Sequence, residues 1–225
     1  MSRRSLDFVF AGGGAVLAVM LLVFGILLAG QASFAKTYLA DQLGEQKIVF
    51  TQADKLTDAE KNWKPGSACL TEYAGQTLAT GKQAECYANF YIAAHMDTSR
   101  NTAGFPGATY ATLGGIRTQL SADIAAAKTK NDTQTGADLQ KKLDSATALR
   151  GSLQTGETLR GLLLTSYGFS VFGEKAGEAS MVAYVAAALL ALLSVAGFSH
   201  AIMTPREQAL WAPVAPSTGT RGMGT

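Results

Sequence analysis

The most constraining stretch of the chain is Phe8 to Gly30, FVFAGGGAVLAVMLLVFGILLAG, 23 residues with no charge, no proline and no polar side chain. As a helix it is about 34 Å long, enough to cross a hydrocarbon core of about 30 Å. A second run, Ser180 to Met203, is as long; it holds no Asp, Glu, Lys or Arg, and one histidine, His200, near its end. The simplest parse is two transmembrane helices, residues 8–30 and 180–203, flanking a domain of residues 31–179, with a lead at 1–7 and a tail at 204–225. A signal peptide competes for the first run, because Arg3 and Arg4 precede it and Gly30-Gln31-Ala32 or Ser33-Phe34-Ala35 resembles a cleavage site. Signal h-regions are about 7–15 residues, so this longer run reads as a retained anchor.

Orientation follows from the short flanks. Arg3 and Arg4 precede the first run, Arg206 follows the second, and Arg221 lies near the end. The positive-inside rule then puts both termini in the cytoplasm and the central domain outside. The only two cysteines, Cys69 and Cys86, fall in that domain, and an extracytoplasmic compartment lets them bond. A net charge of +2 is too small to argue for nucleic acid. The expected partners are the lipid bilayer and other membrane protein subunits, or further copies of the chain.

Small residues recur along both runs: Gly14 and Ala18, Gly25 and Ala29 in the first; Ala183, Ala187, Ala191 and Ser194 in the second. Such stripes let helices approach closely, and the two runs are the natural partners. Ser33 to Gln46 continues the first helix outward, with Phe34, Tyr38 and Leu43 at helical spacing. Lys47 to Phe50 is a short apolar stretch, extended or packed under the domain. Thr57 and Glu60 fit a capping box, and Pro65-Gly66 ends the helix it opens. Lys82 to Met96 reads as a helix with Cys86, Phe90, Ala93 and Ala94 inward, after a turn at Thr80-Gly81. Were Ser67 to Ala79 a straight helix antiparallel to it, the cysteines would be offset by roughly 9 Å along the axis, too far for a disulfide, whose Cα atoms lie within about 7 Å. Either the bond is absent or this segment bends; the bond is favoured.

Ser99 to Thr109 has the Gly, Pro and Asn of a loop. Helical periodicity resumes at Tyr110 to Lys130 through Leu113, Ile116, Leu120, Ile124 and Ala127. A polar turn at Asn131 to Gly136 precedes a sustained pattern: Leu139, Leu143, Ala146, Leu149, Leu153, Leu159 and Leu163. Gly151, Gly156 and Gly161 interrupt it, as bends or as close contacts. The expected fold class is therefore all-α: an antiparallel helical hairpin packed on the helix from Lys82 and on the extension of the first run, with one disulfide. Tyr167 to Phe172 is aromatic, Glu174, Lys175 and Glu178 keep the next turn out of a bilayer, Pro205 ends the second run, and Arg206 and Trp211 suit an inner-interface anchor. Ala212 to Thr225, rich in Pro, Gly, Ser and Thr, has no means of making a core.

Chemistry-bearing groups are sparse. Neither run has an ionisable residue in its interior, which argues against a proton or ion path. His95 has Asp97 two residues on, and the other histidine, His200, belongs to the opposite membrane face; zinc needs three or four ligands. Ser121 and Ser152 have no neighbouring His, and no glycine run fits a dinucleotide or phosphate loop. No catalytic residue, metal or cofactor is expected.

The stretches Thr37 to Phe50 (TYLADQLGEQKIVF), Glu72 to Met96 (EYAGQTLATGKQAECYANFYIAAHM) and the Ala-rich second run resemble those of uncharacterised actinobacterial membrane proteins. The resemblance implies two spans, an external helical domain and an actinobacterial plasma membrane; it carries no activity. The expected function is non-enzymatic, through protein contacts, as an accessory subunit of an envelope membrane complex or as a homo-oligomer. The alternative is an extracytoplasmic ligand-binding sensor signalling through a partner, for which Tyr87, Tyr91 and Tyr110 would line a pocket. An enzyme would join His95 and Asp97 to other acids.

Overall fold

The computed structural model describes residues 3–205; Met1, Ser2 and the tail that holds Arg206, Trp211 and Arg221 lie outside the described residues. The elements are α1 (Arg3–Glu45), α2 (Asp58–Lys61), α3 (Cys69–Glu72), α4 (Gly81–Cys86), a π-helical turn (Tyr87–Ile92), α5 (Ala93–Thr102), α6 (Tyr110–Thr129) and α7 (Thr133–Met203). Among the described residues there is no strand, only a single antiparallel bridge between Val49 and Thr77. The fold class is all-α, as expected. Two compact units are present, one of residues up to Gln31 together with those from Ala176 on, the other Ala32–Lys175. The first holds two helical stretches, apolar and long enough to cross a membrane.

The second unit is a helical bundle. Leu39 and Leu43 of α1, Ala84 and Ala88, Met96, Leu113, and Ala146, Leu149, Leu153 and Leu163 of α7 share one buried core. On α1 the inward residues are Ala35, Leu39 and Leu43; of the three apolar residues read at helical spacing Leu43 is buried, while Phe34 and Tyr38 are exposed and stack on each other at 5.5 Å. The reason is steric. A Cβ at Gly173 would fall 2.8 Å from the Cβ of Ala35, so only the small face of α1 can meet α7 there.

The disulfide is formed, with Cα atoms 6.1 Å apart, and the bend it requires is present. α3 is one turn long. The chain then reverses at Gly75, whose φ of +73° suits glycine, and runs extended beside the Lys47–Phe50 stretch. Phe50 N–H donates to Gln76 O (2.9 Å) and Leu78 N–H to Ile48 O (2.8 Å). A short ladder thus replaces the straight helix that would have held the cysteines apart.

Three expected boundaries shift. The helix from Gly81 runs to Thr102; Cys86 and Ala94 are buried as expected, Ala84, Ala88, Ile92 and Met96 are buried with them, and Phe90 and Ala93 are half-buried. The π-helical turn accounts for this: i→i+5 bonding widens the helix, so residues four apart stay on one line instead of drifting. The carbonyl of Ala88 within that turn accepts from Arg160 Nε at 3.0 Å. The polar turn is shorter than expected, because Asp132 caps α7 by accepting the Thr135 N–H at 3.0 Å. Hydrogen bonds from the Thr135 side chain and then from its backbone N–H hold the Asp132 carboxyl below the usual carboxylate range. α7 then runs unbroken through Gly151, Gly156 and Gly161. Gly156 is a close contact, facing the Met96 side chain; Gly151 and Gly161 meet nothing within 4 Å. Leu159, expected inward, is 37% exposed, because the inward line passes from Leu153 through Gly156 and Arg160 to Leu163. Capping boxes at Thr57, Thr80 and Thr109 start α2, α4 and α6.

The two faces of α7 should separate in mutagenesis. Leu153, fully buried, truncated to alanine should cost about 2–5 kcal/mol, whereas Leu162→Ala on the exposed face should stay within about 0.5 kcal/mol; chemical denaturation in detergent reads both.

Candidate functional site

Two places bring the sequence-derived candidates together, one in each unit. In the first unit the inward residues of α1 are Asp7, Ala11, Gly14, Ala18, Leu21, Gly25 and Leu28, and those of α7 are Ser180, Ala183, Ala187, Leu190, Ser194, Gly197 and Ala201. Both sets alternate steps of three and four. That average of 3.5 residues keeps a seam facing its partner along two nearly aligned helices. The two helices run antiparallel: Gly197 meets Ala11, Gly14 meets Ser194, and Gly25 meets Tyr184. A Cβ at Gly14 would lie 2.7 Å from Ser194 Oγ, and one at Gly25 2.7 Å from the Tyr184 ring. Ser180 Oγ donates to Gly25 O at 2.8 Å. This bond satisfies a hydroxyl inside an apolar seam, where leaving it unmade is expensive. At one end His200 Nδ1 lies 3.0 Å from Asp7 Oδ2, and Phe8 packs on Phe198.

Of the eight candidate packing positions, Gly14, Ala18, Gly25, Ala183, Ala187 and Ser194 lie on this seam and Ala29 is half-buried beside it. Ala191 is exposed. Two successive steps of four from Ala183 drift off a helix of 3.6 residues per turn, and the seam takes Leu190 in its place. Ser180, Tyr184, Gly197 and Ala201 were not anticipated, although the three-four alternation that marks all but Tyr184 is legible in the sequence.

In the second unit a cleft of about 210 Å³ opens between α5 and α7, lined by Tyr91, Ile92, His95, Met96, Ser99, Ser152, Leu153 and Gly156. The glycine makes the space. His95 Nε2 lies 2.9 Å from Glu60 Oε1, and the other carboxylate oxygen of Glu60 accepts from the Thr57 backbone and hydroxyl, each at 2.7 Å. His95 is thus tied to the capping box of α2. Asp97, two positions on, faces elsewhere and accepts from Asn101, since residues i and i+2 do not share a helix face. Rings follow one another from Phe50 through Tyr87 and Tyr91 to His95, edge-on, stacked and tilted in turn, with neighbouring centroids 4.3–5.3 Å apart. Burial first, then the neighbouring Tyr91, push the Tyr87 hydroxyl up to about 12. Tyr110 is remote from this stack, beneath the Arg150 guanidinium at 3.7 Å. The three tyrosines therefore do not line one pocket, and the cleft is smaller than the roughly 300 Å³ at which small-molecule sites begin. Among the described residues no three His, Cys, Asp or Glu side chains converge as a metal site would need.

No protein family, curated protein or solved structure matches the chain.

The seam predicts a sharp contrast between glycines. Gly25→Leu drives a side chain into Tyr184 and should cost about 1–3 kcal/mol, while Gly13→Leu, with nothing within 4 Å, should be near neutral in thermal unfolding in detergent. Alkaline titration tests the ring stack. Because the folded Tyr87 pKa is raised to about 12, its stabilising effect is complete below the usual tyrosine range and is lost as pH rises through about 12. The tyrosinate absorbance missing from a Tyr87→Phe variant should accordingly appear only near that pH.

Proposed function

We propose that this is a non-enzymatic, two-span plasma-membrane protein that acts through protein contacts, as an accessory subunit of an envelope complex or as a homo-oligomer. The membrane part of the reading rests on exposure. In each long helix only 17% of the most apolar window is buried, and Phe10, Val19, Leu27, Leu192 and Met203 are all more than half exposed. A soluble core helix would have covered them, whereas lipid accepts them. Arg3, Arg4 and Arg206 favour cytoplasmic termini. The Cys69–Cys86 bond favours an extracytoplasmic bundle, and the resemblance noted above agrees with an actinobacterial envelope.

The protein-contact part rests on the outer face of α7, where Gly151, Thr155, Thr158, Leu162 and Thr165 are exposed without a charged side chain among them. Soluble surfaces are ordinarily rich in charge. The cleft at His95 supports a second reading, a ligand-binding sensor that signals through a partner, with room for little more than a side chain.

Purification in mild detergent with mass determination is the test. A defined assembly, of this chain alone or with other proteins, is the expected result, and Leu162→Lys should break it without lowering the melting temperature. A clean monomer overturns the contact reading in favour of the sensor.

A further inference from the structure

The outer face of α7 has a regular construction. Gly151, Thr155, Thr158, Leu162, Thr165, Phe169 and Phe172 follow one another in steps of four and three, and all are exposed. Leu162 and Phe172 are 63% and 78% exposed. This is the alternation by which a helix packs along another helix, repeated on the side of α7 opposite the bundle core. The hydroxyls on and beside it are already satisfied. Ser152, Thr155, Thr158 and Thr165 each donate to the carbonyl four residues back, at 2.8–3.2 Å. Covering this face leaves no polar group stranded. The nearest charges turn aside: Glu157 pairs with Arg160 and Arg100, and Arg150 lies over Tyr110.

We infer that this face is a parallel, two-fold interface with a second copy of the same chain, centred on Thr155, Leu162 and Phe169. The inference rests on the two-span reading above and names its partner. Three features favour a second copy. A two-fold contact must be self-complementary, and a neutral face meets itself without like-charge repulsion. The three-four spacing matches another helix of the same spacing, which this helix supplies. A two-fold axis running along the helix pairs it in parallel with its equivalent, each central residue opposite its own twin. Size argues for the membrane as well. A helix face about 32 Å long and 10 Å wide offers roughly 300 Å² per copy, short of the about 800 Å² per partner of a stable interface. Confinement of both copies to one bilayer, or to one detergent micelle, makes up the difference by raising their effective concentration.

Cysteine cross-linking in intact membranes tests this. Both native cysteines are bonded to each other, so an introduced cysteine is the free one. Single variants Thr155→Cys, Leu162→Cys and Phe169→Cys, oxidised with copper phenanthroline, should each give a band at twice the chain mass, while Lys142→Cys should not. A band only at another mass, from a bond to a different protein, overturns the second copy and leaves the protein-contact reading standing. Absence of any adduct at the three positions, or equal dimer at Lys142→Cys, overturns the inference. If in addition the chain washes from membranes with carbonate, the two-span reading fails with it.

Discussion

A helix can hold one face against a neighbour over many turns only if its contacts alternate three and four residues apart, and α7 has such a stretch in each unit. In one unit the alternating positions are Ser180, Ala183, Ala187, Leu190, Ser194 and Gly197 against α1; in the other they pass through Leu153, Gly156, Arg160 and Leu163. The side chains differ because the neighbours differ. Alanine, serine and glycine line the seam where the two apolar stretches pair at close approach. Leucine dominates where a water-excluded core must be filled. The glycines need no conformational freedom here, since they sit in regular helix. Gly14, Gly25, Gly156 and Gly173 are small because a Cβ would strike Ser194, Tyr184, Met96 or Ala35.

The irregular parts of the bundle are arranged so that this helix stays regular. The ladder between Ile48–Phe50 and Gln76–Leu78 shortens the route between the cysteines and satisfies a segment that has no helix to belong to. The disulfide closes it, contributing roughly 3 kcal/mol in the chain-entropy view. The π-helical turn, otherwise a defect in the helix facing α7, keeps Ala84, Ala88, Ile92 and Met96 in line and hands the Ala88 carbonyl to Arg160. Glu60 does two tasks, completing the cap of α2 and holding His95 at 2.9 Å, which gives the lone histidine of the bundle a structural role.

These arrangements bear on function by what they leave over. The reactive-looking side chains are consumed: His95 by Glu60, Asp97 by Asn101, Tyr87 and Tyr91 by each other. What stays uncommitted is surface, namely the apolar sides of the two long helices and the neutral outer face of α7.

The sequence by itself determined the elements and their chemistry. Two uncharged runs, the capping box at Thr57, the periodicity from Tyr110 to Ala127 and the pairing of the only two cysteines are local or exclusive signals, and they can be read one residue type at a time. The small residues of the seam were legible for the same reason. Tertiary structure decided which of several equivalent faces is used. Phe34 and Tyr38 fall at helical spacing as well as Leu39 does, and Leu159 looks as apolar as Leu163; only the position of the facing backbone, at Gly173 for one and at the π-helical turn for the other, selects between them. Ala191 is exposed because a second step of four from Ala183 drifts off the seam, which advances by three to Leu190 instead. The contact of His95 with Glu60, 35 residues apart, had no local signal, because it exists only once the loop carrying α2 has folded onto α5.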